Sequence, residues 1–196
     1  MTKRANLYTI PTAITKDVAD VIVKQYANEL NWEKATIASQ DPVEDQKVRQ
    51  CKSASIPTDS WVAGMMSHFV HCSNNQLFKF DLKGWSERIQ FLMYDKPGDH
   101  YHWHSDLAPD KWNPKEDVRK LTIVLCLSSK DDYEGGELEI ITSLNAVVDD
   151  FIHRETLKLD VGDAVIFPTD TLHRVTPLKS GKRIVLCSWF GGPNFR

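Results

Sequence analysis

At Leu77 the spacing of apolar residues drops from the 3.6 of a helix to the 2 of a strand, and the shorter period persists toward the C-terminus. "LFKFDL" (77–82) alternates, and "RIQFLMY" (88–94), "KLTIVLCL" (120–127), "ELEIIT" (137–142), "TLKLDV" (156–161), "DAVIFP" (163–168), "LHRVTPL" (172–178) and "RIVLCSWF" (183–190) follow as strand candidates. Turn chemistry separates them in "DKPGD", "YEGGE", "VGD" and "KSGK". Many short strands with Gly-rich turns bury their apolar faces only by stacking as two sheets or by closing on themselves. The expected fold is therefore a sandwich or barrel of jelly-roll type.

Upstream of Leu77 the pattern is helical. Val18, Val21, Ile22, Tyr26 and Leu30 form one stripe across residues 15–30, with Thr15 as N-cap. Trp61, Met65, His68, Phe69 and Cys72 recur at threes and fours across residues 59–72, where His68 and His71 read as helix-surface or core-edge residues. "DPVEDQKVRQ" (41–50) is polar, opens on Asp-Pro and reads as a loop. A chain of 196 residues is expected to form one domain, with a helical support region over about 1–76 and a β core over about 77–193. The fold class is mainly β with N-terminal helices.

A chain of this size buries roughly 70% of its unfolded surface, so its core needs no staples. Its four cysteines, Cys51, Cys72, Cys126 and Cys187, form no C-x-x-C pair and suggest free thiols in a reducing compartment. A net charge of -3 provides no broad positive footprint for nucleic acid. The N-terminal residues lack the apolar core of a signal peptide, and no window approaches the 18 or so apolar residues of a membrane span. The expectation is a soluble cytoplasmic protein whose partners are neither nucleic acid nor membrane.

"YHWHSD" (101–106) carries the chemistry. In an extended chain residues i and i+2 share a face, so His104 and Asp106 offer an imidazole nitrogen and a carboxylate oxygen to one ion while Ser105 points away. A third ligand has to come from a facing strand. His173, which opens a strand after "FPTDTL", is the best placed of the remaining histidines. Two histidines and one carboxylate form a facial triad that leaves three octahedral positions open, as iron(II) oxygenases require. Arg183 lies ten residues further, on a strand rich in Val, Ile and Leu. A guanidinium inside a barrel is costly without an anion, and its planar fork suits a carboxylate. A chelating keto acid with a distal carboxylate, 2-oxoglutarate, fits both sites at once. His102, two residues before His104, is assigned a supporting or surface role.

Taken in order, "YDKPGDHYHWHSD", "VRKLTIVLCLSSKDDYEGGELEI", "GDAVIFPTDTLHRVTP" and "GKRIVLCSWF" resemble the iron(II)/2-oxoglutarate dioxygenases of the prolyl 4-hydroxylase superfamily. The wording "Y-x-G-G-E-L" and "F-P…L-H-R-V-T-P" is similar to that of the PKHD-type hydroxylases. The resemblance covers about residues 77–193. It implies a double-stranded β-helix, iron(II) on His104, Asp106 and His173, and 2-oxoglutarate held by Arg183. It also implies dioxygen as co-substrate and L-ascorbate as a reductant. Tyr94 falls where relatives carry a tyrosine that contacts the co-substrate, and Thr122 is a further candidate to line that pocket. Tyr101, Trp103 and Trp189 are expected to shape the substrate mouth, and Arg119 is a candidate substrate contact. The implied reaction is hydroxylation of an unactivated C–H bond, with a prolyl residue of a peptide or protein as substrate.

Three alternatives stay open: a hydroxylase of a free amino acid or other small molecule, a nucleic-acid demethylase, and a non-catalytic metal-binding jelly roll. The charge balance weighs against the second. The third would need a fourth protein ligand to close the site. "LAPDKWNPKED" (107–117) and "SLNAVVDDFIHRE" (143–155) are expected to frame the mouth.

Overall fold

Two hydroxyls start the two helices. In the computed structural model, which describes residues 7–28, 30–36, 45–107, 117–144 and 152–194, Thr15 accepts the Val18 N–H and opens α1 (Lys16–Tyr26). Ser60 accepts the Ala63 N–H and opens α2 (Trp61–Ser73). Each cap satisfies a donor that the first turn cannot. No helix among the described residues is long and apolar enough to cross a membrane.

The strands are β1 (Tyr8–Ile10), β2 (Glu33–Lys34), β3 (Arg49–Gln50), β4 (Lys52–Ile56), β5 (Gly84–Trp85), β6 (Ile89–Tyr94), β7 (His100–His104) and β8 (Val118–Cys126), then β9 (Tyr133–Gly135), β10 (Leu138–Leu144), β11 (Ile152–Leu157), β12 (Ala164–Pro168), β13 (His173–Val175), β14 (Leu178–Gly181) and β15 (Arg183–Gly192). They form a large sheet ordered β1-β12-β8-β15-β6-β4-β2, with β5 paired to β15. A second sheet runs β11-β10-β13-β7-β3, and β14 pairs with β9.

Alternation sorts each central strand between two cores. Leu121, Ile123 and Leu125 of β8, with Phe91, Leu186 and Phe190, pack against α1 and α2. Val124 and Cys126 of β8, with Leu92, Tyr94, Phe167 and Val185, fill the space on the other face, together with Ile140 and Val175 of the smaller sheet. Burial on both faces explains why these strands read as continuous apolar runs in the sequence.

Several sequence expectations shift. The buried face of α2 is Val62, Ala63, Met66 and Val70, while Trp61 is 45% exposed. The segment is apolar nearly all round, so its period alone does not choose a face. In α1, Ile22 and Tyr26 are buried as expected but Val21 is exposed, and the helix ends at Tyr26 rather than near Leu30. "LFKFDL" is not a strand. The helix continues as a π-turn over Asn74–Phe78, Lys79 takes a left-handed conformation, and the Asn74 amide clamps both backbone groups of Phe80. The first 76 residues also contribute four strands. Of these, β3 lies inside the segment read as a loop, and β4 extends the large sheet beside β6.

Candidate metal centre and co-substrate pocket

Strand register brings distant residues face to face. On the smaller sheet His173 pairs with His104, and on the large sheet Arg183 pairs with Tyr94 and Trp189 with Thr122. Directly opposed residues of an antiparallel ladder hold their Cβ atoms about 5 Å apart, so each pair is a prebuilt contact. Asp106 is turned toward the histidines where both its own N–H and that of Leu107 donate to the Thr169 carbonyl, at 2.8 and 2.9 Å.

His104, Asp106 and His173 present donor atoms that all lie within 4.8 Å of one another. The imidazole Nδ1 of His104 lies 2.7 Å from the carbonyl of His102, and that of His173 lies 2.9 Å from the carbonyl of Thr171. A carbonyl only accepts, so each Nδ1 carries the proton and each Nε2 keeps its lone pair free. Those Nε2 atoms sit 3.6 and 3.5 Å from the two oxygens of Asp106. Two ligand bonds of about 2.1 Å span roughly 3–4 Å between ligand atoms, so these gaps match a shared ion better than a hydrogen bond. The triad fits a divalent metal.

The surroundings hold the donors ready. Thr122 donates to Asp106 Oδ2 at 2.7 Å, in full burial. Burial disfavours the Asp106 carboxylate, but His173, His104, the Trp189 indole and Thr122 outweigh it and hold its pKa below the usual value. Burial and the neighbouring His173 push His104 down to about 3, so it stays neutral and ready to ligate. Tyr101 stacks on the His104 ring with centroids 3.5 Å apart, and Phe167 closes edge-on against His173.

Arg183 is only 2% exposed, and its Nη1 has no hydrogen-bond partner. Its guanidinium lies 5.2 Å from the Tyr94 ring, and Gly136 approaches its stem so closely that a Cβ there would stand 3.2 Å from Cδ. Tyr133 adds a hydroxyl beside it; burial pushes that phenol up to about 12, partly offset by Arg183. Burial likewise raises Tyr94 well above the usual value, so the pocket offers a cation and neutral phenols. A buried cation with an unused N–H is the receptor that a carboxylate requires. The residues present therefore fit 2-oxoglutarate as well as the metal.

The other expected residues have these neighbours. Thr122 orients the metal carboxylate through its hydroxyl, a different contact from the one expected of it. Trp189 is buried on the site face, under the Arg119 guanidinium at 3.9 Å. Arg119 is tied to Glu87 and donates to the Asp106 carbonyl at 3.1 Å, which makes it a brace of the metal loop. Trp103 packs with Arg174, the neighbour of His173 on β13, whose guanidinium is 4.9 Å from its ring. His102 is exposed, and its carbonyl orients His104. The two loops expected to frame the mouth fall largely outside the described residues. Tyr133 was missed because it sits in a stretch read only as a turn, although "Y-x-G-G-E" is distinctive.

Two sheets that bring together a 2-His-1-carboxylate triad and a buried arginine suit a metal-dependent oxygenase. The model of the 2OG-Fe(II) oxygenase superfamily matches residues 89–191, more than half of the chain, and the chain belongs to that superfamily. Among its relatives, a PKHD-type hydroxylase of Teredinibacter turnerae is 38% identical over 96 residues, covering 47% of this chain and 38% of that protein. One from Hyphomonas neptunium is 41% identical over 98 residues, with the same shares. The match thus spans well under half the length of these relatives. Solved structures share the fold. A Pseudomonas putida prolyl-4-hydroxylase superposes with a TM-score of 0.68 at 19% identity, covering 97% of this chain and 94% of that one. A Trichoplax adhaerens prolyl hydroxylase, in complex with a hypoxia inducible factor oxygen degradation domain peptide fragment, gives 0.72 at 16% identity, covering 95% and 83%.

Proposed function

We propose that this chain is an iron(II)- and 2-oxoglutarate-dependent dioxygenase on a double-stranded β-helix, and that it hydroxylates a prolyl residue of a peptide or protein. The observation that carries the reading is register: one sheet pairs His104 with His173, and the facing sheet pairs Tyr94 with Arg183. A metal ligand set and a carboxylate receptor thereby stand on two paired strands each, brought together by the fold.

His104 Nε2, His173 Nε2 and the Asp106 carboxylate would hold the iron. When bound, iron and 2-oxoglutarate together supply dioxygen activation, coupled to decarboxylation of the keto acid, and insertion of one oxygen atom into a C–H bond. The protein's part is placement. Arg183 offers its unused Nη1 to the distal carboxylate, beside the neutral phenols of Tyr94 and Tyr133, the latter donating to the Leu159 carbonyl at 3.3 Å. The backbone carbonyls of His102 and Thr171 fix the tautomers, and Thr122 fixes the carboxylate. Tyr101 and Trp189 wall the centre with aromatic surface that excludes water and confines the reaction. The peptide substrate is supported by the prolyl hydroxylase neighbours, one of which is described with a bound peptide fragment. Incubating the protein with iron(II), ascorbate, 2-oxoglutarate and a proline-rich peptide library tests the proposal. The expected result is succinate formation matched by a one-oxygen mass gain on peptide. Succinate production that His173→Ala leaves intact would contradict it.

A further inference from the structure

Arg49 is a second buried guanidinium that the proposed chemistry does not use. It is 6% exposed, donates to the Thr36 carbonyl at 2.9 Å and to Gln90 Oε1 at 3.0 Å, and leaves its Nε without a partner. No carboxylate pairs with it among the described residues. Its charge lies over the Tyr101 ring, 4.6 Å from the centroid, and Tyr101 stacks in turn on His104. Arg49 is therefore one aromatic ring away from the metal ligands.

A cavity of about 410 Å³ opens at this point, beside the edge of the large sheet. Arg49 and Gln90, Ser53 and Ser55 of β4, and Arg88 are among its lining residues. Alternation from Gln90 puts Arg88 on the same sheet face as Tyr94. Arg88 is exposed and has no ion-pair partner among the described residues. Among the described lining residues, Arg49 and Arg88 bring two guanidinium groups to the cavity. Arg49, Ser53, Ser55 and Arg88 all lie outside residues 89–191, the segment shared with the superfamily.

A buried guanidinium without a counter-ion is costly, and burial strengthens its attraction for any anion that arrives. Hydroxyls and an amide around it supply hydrogen-bonding surface of the kind that surrounds a bound carboxylate. We propose that the Arg49–Arg88 cavity is a substrate subsite for a carboxylate, so that the substrate carries an acidic group close to the residue that is oxidised. Resting on the oxygenase reading above, the proposal narrows its substrate class to acidic peptides or carboxylate-bearing small molecules.

The test uses the full chain and two matched probe sets. The first is a capped, amidated peptide with one proline, in which a single Asp is walked from four residues before to four residues after it, each against its Asn twin. The second is the same proline with a free C-terminal carboxylate against its amide. Binding to the metal-free protein is read by fluorescence anisotropy, and succinate formation is read separately on the iron-loaded protein. At one position the acidic probe is expected to bind about tenfold tighter than its neutral twin, the scale of a charge-assisted pair. Arg88→Gln, at an exposed position that the fold does not need, should shrink that preference below about twofold, and Arg88→Lys should keep part of it. The probe set that shows the preference tells whether the carboxylate is a side chain or a terminus. Equal binding of every acidic and neutral pair overturns the subsite, as does a preference that Arg88→Gln leaves unchanged. Succinate formed without any acidic preference refutes the subsite alone. An acidic preference in a protein that never turns over 2-oxoglutarate refutes the oxygenase reading alone.

Discussion

Arg183 is expected to weaken the ligand-free fold that it serves. Its guanidinium is 2% exposed, pairs with no carboxylate among the described residues and leaves Nη1 unbonded, so the fold buries a charge that an anion would offset. Replacing a buried ion with an apolar side chain of similar volume typically stabilises by about 1–4 kcal/mol. Arg183→Met also loses the contact with the Tyr94 ring at 5.2 Å and the neighbouring Tyr133 hydroxyl, which offsets roughly 1–2 kcal/mol. The net expectation is a gain of about 1 kcal/mol, or a melting temperature about 2–4 °C higher for a domain of this size. The opposite holds for ligand response. At one hundred times its dissociation constant, 2-oxoglutarate should stabilise the metal-loaded wild-type protein by about 2.7 kcal/mol and leave Arg183→Met unmoved. Scanning calorimetry of both proteins, metal-free and then manganese-loaded with and without 2-oxoglutarate, reads all of these. A metal-free Arg183→Met that melts below wild type, or still responds to 2-oxoglutarate, would refute the idea that Arg183 is a waiting anion receptor.

Further outcomes follow from the same geometry. Thr122→Val keeps the shape of the side chain but removes the 2.7 Å donor to Asp106, and supporting bonds of this kind are worth about 10–100-fold in metal affinity. Metal titration should show that loss, with binding of 2-oxoglutarate to the metal-saturated variant nearly unchanged. His104 is neutral in the fold down to about 3 but titrates near 6.5 when unfolded, so the unfolded chain binds more protons between those values. The metal-free protein should therefore lose stability as pH falls from 7 toward 4, measured by urea midpoints, and His104→Gln should flatten that slope. Gly135, at φ +75, holds a turn in which a Cβ would lie 2.3 Å from the Pro177 carbonyl. Gly135→Ala should cost about 1–3 kcal/mol in a thermal melt, and loosen the β9–β14 corner beside Arg183.

The large sheet was legible because its strands alternate or run apolar between clear turns, and the triad was legible because a His-x-Asp spacing already fixes two ligands on one face. The pairings that complete the site are a different matter. Nothing near His173 states that it opposes His104; a ladder of backbone hydrogen bonds between distant segments decides it. Trp103 adjoins His104 in the chain, yet its ring packs against Arg174. Arg119 was expected as a substrate contact, and Glu87, 32 residues earlier in the chain, binds it. The face of α2 was misjudged because a helix that is apolar nearly all round carries no direction. Arg49 went unseen because it lay in a polar stretch without period, where only the pairing of β3 with β7 shows that its side chain reaches the interior.

The most direct measurement is the stoichiometry of metal and 2-oxoglutarate under anaerobic titration calorimetry of the full chain. One iron(II) per chain is expected, then one 2-oxoglutarate that binds only to the loaded protein. His173→Ala and Asp106→Ala should abolish the first event, while Arg183→Met should abolish only the second. Metal binding that survives loss of both His173 and Asp106, or 2-oxoglutarate binding indifferent to Arg183, would contradict the central claim that register builds one site from these four residues.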